Sequence, residues 1–490
     1  MLKKFKMVIL LLFLAVFLTA CSDGSSNIFV FKLDESYNEY LTMVTSADYP
    51  PYENIVFVDG VSTVEGADIE IAKEIARSFG KNLRVVHKSF DLVILDVQNG
   101  KADFALAGLT PTTERLEQVD FSVSYFTEEN TQVALVRNTD LNKFKTVADI
   151  NQSSVKVGAQ FGSLQQKIAL EQAPLAHTKF VAELPALLED LKNGQIDVLF
   201  TEAAIANTHI AGNYGMLAIS DAEIKSNYDG NAVAVQKGSE LLPTINEVVE
   251  ELKTSGQIDE WIEYYSSKEY VKTEPSDTVP LLIKGLLMTL ALSLVGVIVG
   301  FIFALIPTFM RLSNHKVLSV TASVYVDIIR GMPMLVQAFL IYSLMPPKMI
   351  YIGKIDMTSL IPGILALVIN CSAYISEIIR GGILSIDKGQ TEAARSLGLS
   401  KTQTMRKVIL PQAIKNILPS LGNEFVTIIK ETSIFAFLGI AELMYQIGII
   451  KSNTYRMTEA YLIAGLLYLI LTIPLSKLMN YFERRLKHEN

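Results

Sequence analysis

Five apolar stretches crowd the C-terminal part of the chain, at about residues 280–310, 322–346, 358–380, 413–440 and 457–482, each long enough to cross a bilayer as a helix. Such runs constrain the fold strongly, because backbone polar groups in lipid must be satisfied within the spanning element itself. The rest of the 490-residue chain is of another kind. Residues 22–278 carry 20 Lys+Arg against 40 Asp+Glu, a net of −20, whereas residues 279–490 carry 20 against 11, a net of +9. An acidic, water-facing front part is therefore joined to a basic, membrane-embedded back part.

The N-terminus reads as a leader over residues 1–21. Lys3, Lys4 and Lys6 precede the apolar run Met7–Leu18, which is too short to span comfortably. Leu18-Thr19-Ala20-Cys21 then resembles a bacterial lipoprotein cleavage site, with Cys21 as the lipid-bearing residue and membrane lipid as its partner. Ordinary secretory cleavage and an uncleaved anchor are the alternatives. All of them place residues 22–278 outside the cell, and five spans then bring the C-terminus inside. The basic residues agree. Arg311, Lys316, Lys388, Arg395, Lys401, Arg406, Lys407, Arg484, Arg485 and Lys487 fall in inner segments, against Lys348, Lys354, Lys451 and Arg456 outside. The expected location is a bacterial plasma membrane, crossed several times. The two cysteines, Cys21 and Cys371, predict no disulfide, and Cys371 reads as a small packing residue in a span.

From Tyr40 to about Ser267, short β-branched runs alternate with helical periodicity. Strands are predicted at Tyr40–Thr45, Asn82–His87, Ala102–Ala107, Val155–Gly158, Val198–Phe200 and Asn231–Gln236. Helices are predicted at Ala67–Phe79, Asp91–Asn99, Ser163–Gln172, Leu184–Asn193 and Ile245–Tyr264. This rhythm argues for α/β units with largely parallel sheets.

Tyr49-Pro50-Pro51-Tyr52-Glu53 follows the first strand. Gly66-Ala67-Asp68-Ile69-Glu70-Ile71-Ala72, Gly108-Leu109-Thr110-Pro111-Thr112-Thr113-Glu114-Arg115 and Gln118-Val119-Asp120-Phe121-Ser122 come after it in order. Together they resemble the extracellular solute-binding proteins for polar amino acids, over about Tyr40–Ser267. The resemblance implies a periplasmic-binding-protein-like domain over 38–270, of two α/β lobes. Lobe 1 comprises 38–132 and 228–268, and lobe 2 comprises 137–225. It implies a cleft closing on a free polar amino acid, whose carboxylate and ammonium both need partners once water is excluded. Arg115 matches the carboxylate ligand, since a guanidinium can fork onto two oxygens. Gly108 and Thr110 add hydrogen bonds. Gly162, Ser163 and Leu164 open a helix whose N-terminus completes the carboxylate site from lobe 2. Glu202 matches the ammonium partner, one methylene longer than the Asp of many relatives. Phe90, Tyr49 and Tyr52 are expected to wall the side-chain end. Ser46 and Gln160, both neutral, lean the reading to glutamine or a similar ligand, while Asp48 or Glu53 reaching in would favour a basic one.

The back half carries Glu392-Ala393-Ala394-Arg395-Ser396-Leu397-Gly398, then nine residues to Val408-Ile409-Leu410-Pro411. Arg330-Gly331-Met332-Pro333, Glu377-Ile378-Ile379-Arg380-Gly381-Gly382 and Leu421-Gly422-Asn423-Glu424-Phe425 accompany it. These resemble the permeases of ATP-binding-cassette (ABC) importers over 279–487, after a linker at 271–278. The implied architecture is an all-α five-helix transmembrane domain. Glu392, Ala393, Ala394, Gly398, Leu410 and Pro411 would contact a separate ATPase, and such permeases work in pairs, expected here as a homodimer, with a heterodimer with a second permease as the alternative. Glu377 and Glu424 could face the pathway or the pair interface, or serve as helix–helix glue with Arg380 or Lys430.

No phosphate-cradling Gly-x-x-x-x-Gly-Lys-Ser/Thr stretch occurs in the sequence, so ATP hydrolysis is expected on another subunit. The five histidines are scattered and suggest no metal site; neither cofactor nor nucleic acid is expected. The rival reading is an amino-acid-gated channel or sensor. There the membrane segment interrupts the binding domain, whereas here that domain is complete before Lys268 and no filter-like Thr-Val-Gly-Tyr-Gly run is present.

Overall fold

The computed structural model describes residues 27–488 apart from 59–60, 127–131, 213–214, 227, 229, 269–274, 347–348, 353–354 and 455–456. The leader with Cys21, and residues 271–274 of the linker, lie outside the described residues.

A two-lobe α/β unit precedes an all-α unit, as the sequence predicts. In lobe 1 the chain runs through β1 (Ile28–Phe31), β2 (Tyr40–Thr45), the small sheet β3 (Asp48–Tyr49), β4 (Glu53–Val58) and β5 (Val61–Glu65), then β6 (Asn82–His87), β7 (Phe104–Ala105) and β8 (Val119–Phe121). Lobe 2 holds β9 (Gln132–Arg137), β10 (Lys156–Gln160), β11 (His177–Val181), β12 (Val198–Glu202) and β13 (Leu217–Ile219), after which β14 (Ala234–Gln236) returns to lobe 1. The main sheets have orders β1-β6-β2-β7-β14-β8 and β11-β10-β12-β9-β13. In each, a parallel set carries antiparallel strands at one or both edges. The chain crosses between lobes twice, and the two passages meet in a bridge between Phe126 and Asn231. β1 lies upstream of residue 38, so the sheet of lobe 1 takes in an additional edge strand.

The helix Ala67–Ser78 shows why these elements form. Ile69, Ile71, Ala72, Ile75 and Ala76 are buried on one face. Asp68 and Glu70 lie in its first turn and Arg77 in its last, complementing the helix dipole. The single closing helix expected at Ile245–Tyr264 is instead two, Leu242–Thr254 and Gln257–Ser267, because Gly256 between them is left-handed at φ 76°.

Among the described residues of the back half three helices are long and apolar enough to cross a membrane, Thr278–Arg311, Met357–Leu384 and Thr458–Tyr481. Two bent pairs bring the number to five if each is one span. Lys316–Gly331 meets Met334–Leu344 at 106°, across Met332-Pro333, where proline disfavours helical backbone in the residue before it. Lys401–Leu438 meets Leu443–Lys451 at 52°, beyond Gly439 at φ +77°. The first and third spans approach closely. A Cβ added at Gly300 would lie 2.6 Å from that of Cys371, which is fully buried as a packing residue. Glu377 pairs with Arg311 and, at 2.6 Å, with Arg380, so it ties the first span to the third.

Candidate functional site

The cleft between the lobes is closed around a small cavity. Its lining is Tyr49, Phe90, Ala107, Gly108, Thr110 and Arg115 from lobe 1, with Gln160, Ser163, Leu164, Gln165 and Glu202 from lobe 2. Strand ends and helix starts converge there. Tyr49 closes β3, Phe90 opens the helix Phe90–Gln98, Glu202 ends β12, and Leu164 opens the helix Leu164–Gln172 under its cap Ser163.

Arg115 sits in the one-turn helix Thr113–Leu116 and reaches across the cleft. Its Nη1 donates to the Thr110 carbonyl at 2.9 Å and its Nη2 to the Gly162 carbonyl at 3.3 Å. The guanidinium stands 5.4 Å from the Phe90 ring centroid. Burial lowers its pKa to about 10, so it stays charged at neutral pH. A further pair, Lys167 to Glu114 at 2.8 Å, links the lobes at the exposed rim, where such pairs contribute little.

Glu202 is 4% exposed. Asn231 Nδ2 donates to its Oε2 at 3.1 Å, and Thr110 Oγ1 donates to Asn231 Oδ1 at 3.2 Å, so a hydrogen-bonded chain runs from the hinge to two residues of the cavity lining, one in each lobe. Burial lifts the Glu202 carboxyl to about 7, helped by the charge of Asp68, while the hydrogen bond from Asn231 opposes the rise.

Tyr52 is not in the lining. It is fully buried and stacks behind Tyr49, ring centroids 6.1 Å apart, as a second layer. Gly162 is absent from the lining as well, but its carbonyl holds Arg115. Sequence reasoning missed Ala107 and Gln165. The signal for Gln165 was available, since it occupies the first turn of the helix that Ser163 caps. Ser46 and Asp48 hydrogen-bond each other at 2.9 Å outside the lining. Glu53 and Asp68 are buried carboxylates and Asp48 a half-buried one behind the Tyr49–Tyr52 wall; desolvation lifts Asp48 and Asp68 to about 6 and Glu53 well above its usual range.

In the back half, Glu392, Ala393 and Ala394 lie on the helix Lys388–Ser396, with Ala394 buried and the other two exposed. Gly398 turns the chain, Ser400 caps the helix Lys401–Thr404, and Leu410-Pro411 begins Leu410–Glu431. Among the described residues no His/Cys/Asp/Glu group suited to a metal was found.

Fold and cleft together define a two-lobe extracellular-type binding domain joined to a multi-span membrane domain. Residues 41–268 match the bacterial extracellular solute-binding proteins, family 3, and residues 296–488 match the binding-protein-dependent transport system inner membrane component. The chain is 38% identical over 209 residues to the glutamine transport system permease protein GlnP of Escherichia coli K12, covering 43% of this chain and 94% of that protein. It is 37% identical over 211 residues to the probable glutamine ABC transporter permease protein GlnM of Bacillus subtilis 168, covering 43% and 95%. The front half is similar to the amino acid ABC transporter substrate-binding protein AbpA of Streptococcus pneumoniae, solved with L-arginine, at 35% identity, TM-score 0.44, and coverage of 47% of this chain and 97% of that one. The chain belongs to the binding-protein-dependent ABC permease family and carries its family 3 solute-binding domain fused in front. It is a transport subunit, not an enzyme.

Proposed function

We propose that this chain binds a free polar L-amino acid outside the cell and passes it through its own permease half, driven by a separate ATPase, and that glutamine is its preferred substrate. One observation carries the choice. The charged residues lining the cavity are Arg115 and Glu202, one cation and one carboxylate, the complement of an amino-acid zwitterion. Gln160, Ser163 and Gln165 supply the remaining polar lining, which suits an uncharged amide. The names of the permease relatives support the same substrate. A basic amino acid is the second reading, favoured by the negative charge of Asp48 and Asp68 behind the wall and by the arginine-bound relative. Calorimetric titration of the full chain with L-glutamine, L-arginine, L-histidine and L-glutamate separates them. Glutamine is expected to bind tightest; preferred binding of arginine would replace the first reading with the second.

Affinity should also depend on pH. The substrate ammonium needs Glu202 ionised, and burial lifts that carboxyl to about 7. Protonation therefore competes with binding as pH falls. Between pH 7.5 and 5.5 the Kd should rise on the order of 10- to 30-fold. Glu202→Gln should flatten that profile. A wild-type Kd that stays constant over this range would remove Glu202 from the ammonium site.

We assign the exposed loop around Gly398 to ATPase contact and the working permease to a homodimer carrying two binding domains. The span Thr458–Tyr481 supports an external partner, lipid or a second permease, since only 6% of its most apolar window is buried within the chain. Mass measurement of the purified complex should find two copies of this chain; one copy per complex would point to a different second permease.

A further inference from the structure

The two lobes meet the permease half in different ways. Lobe 1 is seated on it by a buried polar cluster. Lys88 Nζ bonds Asp96 Oδ2 at 2.6 Å and the Tyr342 hydroxyl at 2.5 Å, and that hydroxyl donates to Asp96 Oδ1 at 2.5 Å. Asp356 Oδ2 lies 3.8 Å from Lys88 Nζ and accepts from Asn27 Nδ2 at 3.4 Å. Lys101 donates to the Tyr342 carbonyl, its ammonium 3.5 Å from the ring centroid. Lys88, Asp96 and Lys101 are 1–2% exposed and Tyr342 is 0%. Two lysines meet two aspartates, so the cluster is neutral as a whole.

Apolar contacts surround it. Leu92 of lobe 1 belongs to the same buried cluster as Met288, Leu438 and Ile440 of the permease. Gly439 approaches so closely that an added Cβ would lie 3.0 Å from the His87 carbonyl oxygen and 3.2 Å from Lys88 Cγ. At the rim, Arg84 stacks 4.3 Å from the Tyr351 ring centroid. Lifting lobe 1 would return this apolar surface to water and break every cross-domain bond of the cluster at once.

Lobe 2 is held otherwise. The helix Leu184–Lys192 rests against the last helix of the permease, and Glu183 just before it pairs with Lys451. The Glu183 side chain is 41% exposed, so water competes for that pair. The Lys451 charge also acts on Asp48 of lobe 1, next to the cavity wall Tyr49. One permease cation is thus within electrostatic reach of both lobes.

We propose that lobe 1 is a fixed platform, seated on its own permease half through the Lys88–Asp96–Tyr342–Asp356 cluster, and that lobe 2 alone swings, latched to the permease by Lys451 through Glu183. The binding domain then works as a resident lid over the permease, not as a receptor that leaves and returns. Opening the cleft costs the contact of Leu184–Lys192 with the last permease helix and one half-exposed ion pair, whereas undocking lobe 1 costs a buried network. The swing matters for transport only under the importer reading above; the seating does not depend on it.

Spin-label distances in the full chain, reconstituted in nanodiscs, test this. With Cys21 and Cys371 replaced by Ser, labels at Ser78→Cys in lobe 1 and Glu171→Cys in lobe 2 are each measured against Asn314→Cys, all three native positions being exposed. Labelled chains are diluted into unlabelled ones. The 78–314 distance should be single and narrow, alike without ligand and with saturating L-glutamine. The 171–314 distance should gain a second population without ligand, and more of it in Lys451→Met. The pair Lys88→Met with Asp356→Asn should then create a second 78–314 population. A second 78–314 population in the ligand-free wild type would overturn the fixed platform. An unchanged 171–314 distribution in Lys451→Met would overturn the latch. Radiolabelled L-glutamine counted on the same nanodiscs keeps the readings apart: failure to bind strikes the substrate assignment, while the 78–314 distance still decides the seating.

Discussion

Replacing Arg115 by Lys is expected to weaken amino-acid binding by about 30-fold or more. The guanidinium is held in plane by two carbonyls, that of Thr110 from lobe 1 and that of Gly162 from lobe 2, with the Phe90 ring beside it. Arg115 lines the cavity, and a planar guanidinium can offer a carboxylate two N–H groups at once. Lysine offers a point charge on a flexible stem and cannot satisfy both carbonyls and both ligand oxygens. Losing a charged hydrogen-bonded contact in a closed cleft costs about 2–5 kcal/mol, which is about 30-fold to several thousand-fold in Kd. Because Arg115 also joins the lobes, the closed state itself should weaken. Calorimetry on the full chain measures the affinity, and an unchanged melting temperature shows that the fold survives. Wild-type affinity in Arg115→Lys would sink the carboxylate assignment.

Gly398→Asp is expected to abolish ATP-driven uptake while leaving amino-acid affinity and membrane insertion as they were. Gly398 has φ +83° and ends the helix Lys388–Ser396, with its N–H donating to the Arg395 carbonyl at 3.0 Å and that of Leu399 to Ala394 at 3.2 Å. This left-handed turn closes the helix C-terminus and sets the direction of the next one, which Ser400 and Gln403 cap reciprocally. A Cβ there would meet nothing within 4 Å, so the cost within this chain is backbone strain and not a clash. That strain is about 1–2 kcal/mol, enough to shift the turn without unfolding the domain. Leu397 beside it is 84% exposed, so the loop presents an apolar knob at its surface. A carboxylate introduced there would be desolvated when an ATPase docks. The binding cleft lies in the other domain and should not respond. The measurement is uptake into proteoliposomes containing the ATPase subunit, beside a ligand titration of the same preparation. Normal uptake by the variant would show that this loop is not the coupling element. Uptake by the unaltered chain without any ATPase would overturn the importer reading itself.

Much of the cleft was legible because its parts are local. Gly108, Thr110 and Arg115 lie within eight residues of one another, and the Arg115–Thr110 contact is made inside that loop. The cap Ser163 and the helix after it are likewise one short segment. Tyr52 shows the limit. A turn with two tyrosines does not say which ring faces the ligand and which packs behind it, and burial settled that. The bent spans show it again. Apolar length marked 322–346 and 413–440 as single crossings, but a proline and a left-handed glycine divide them into angled pairs.

By itself the sequence determined the division into an acidic α/β unit and a basic five-segment membrane unit, the bounds of strands such as Tyr40–Thr45 and Asn82–His87, and the short motifs that carry Arg115 and Gly398. These follow from periodicity, run length and neighbouring residues, all of which act over a few positions of chain. Only the tertiary structure decided that Lys88 and Lys101 meet Tyr342, that Asp356 joins them, that Lys451 reaches Glu183, and that Asn231 ties Thr110 to Glu202. Those partners stand up to 268 residues apart, as Lys451 and Glu183 do. They meet because apolar faces of separate elements bury against one another, and the polar groups caught between those faces must then find partners there.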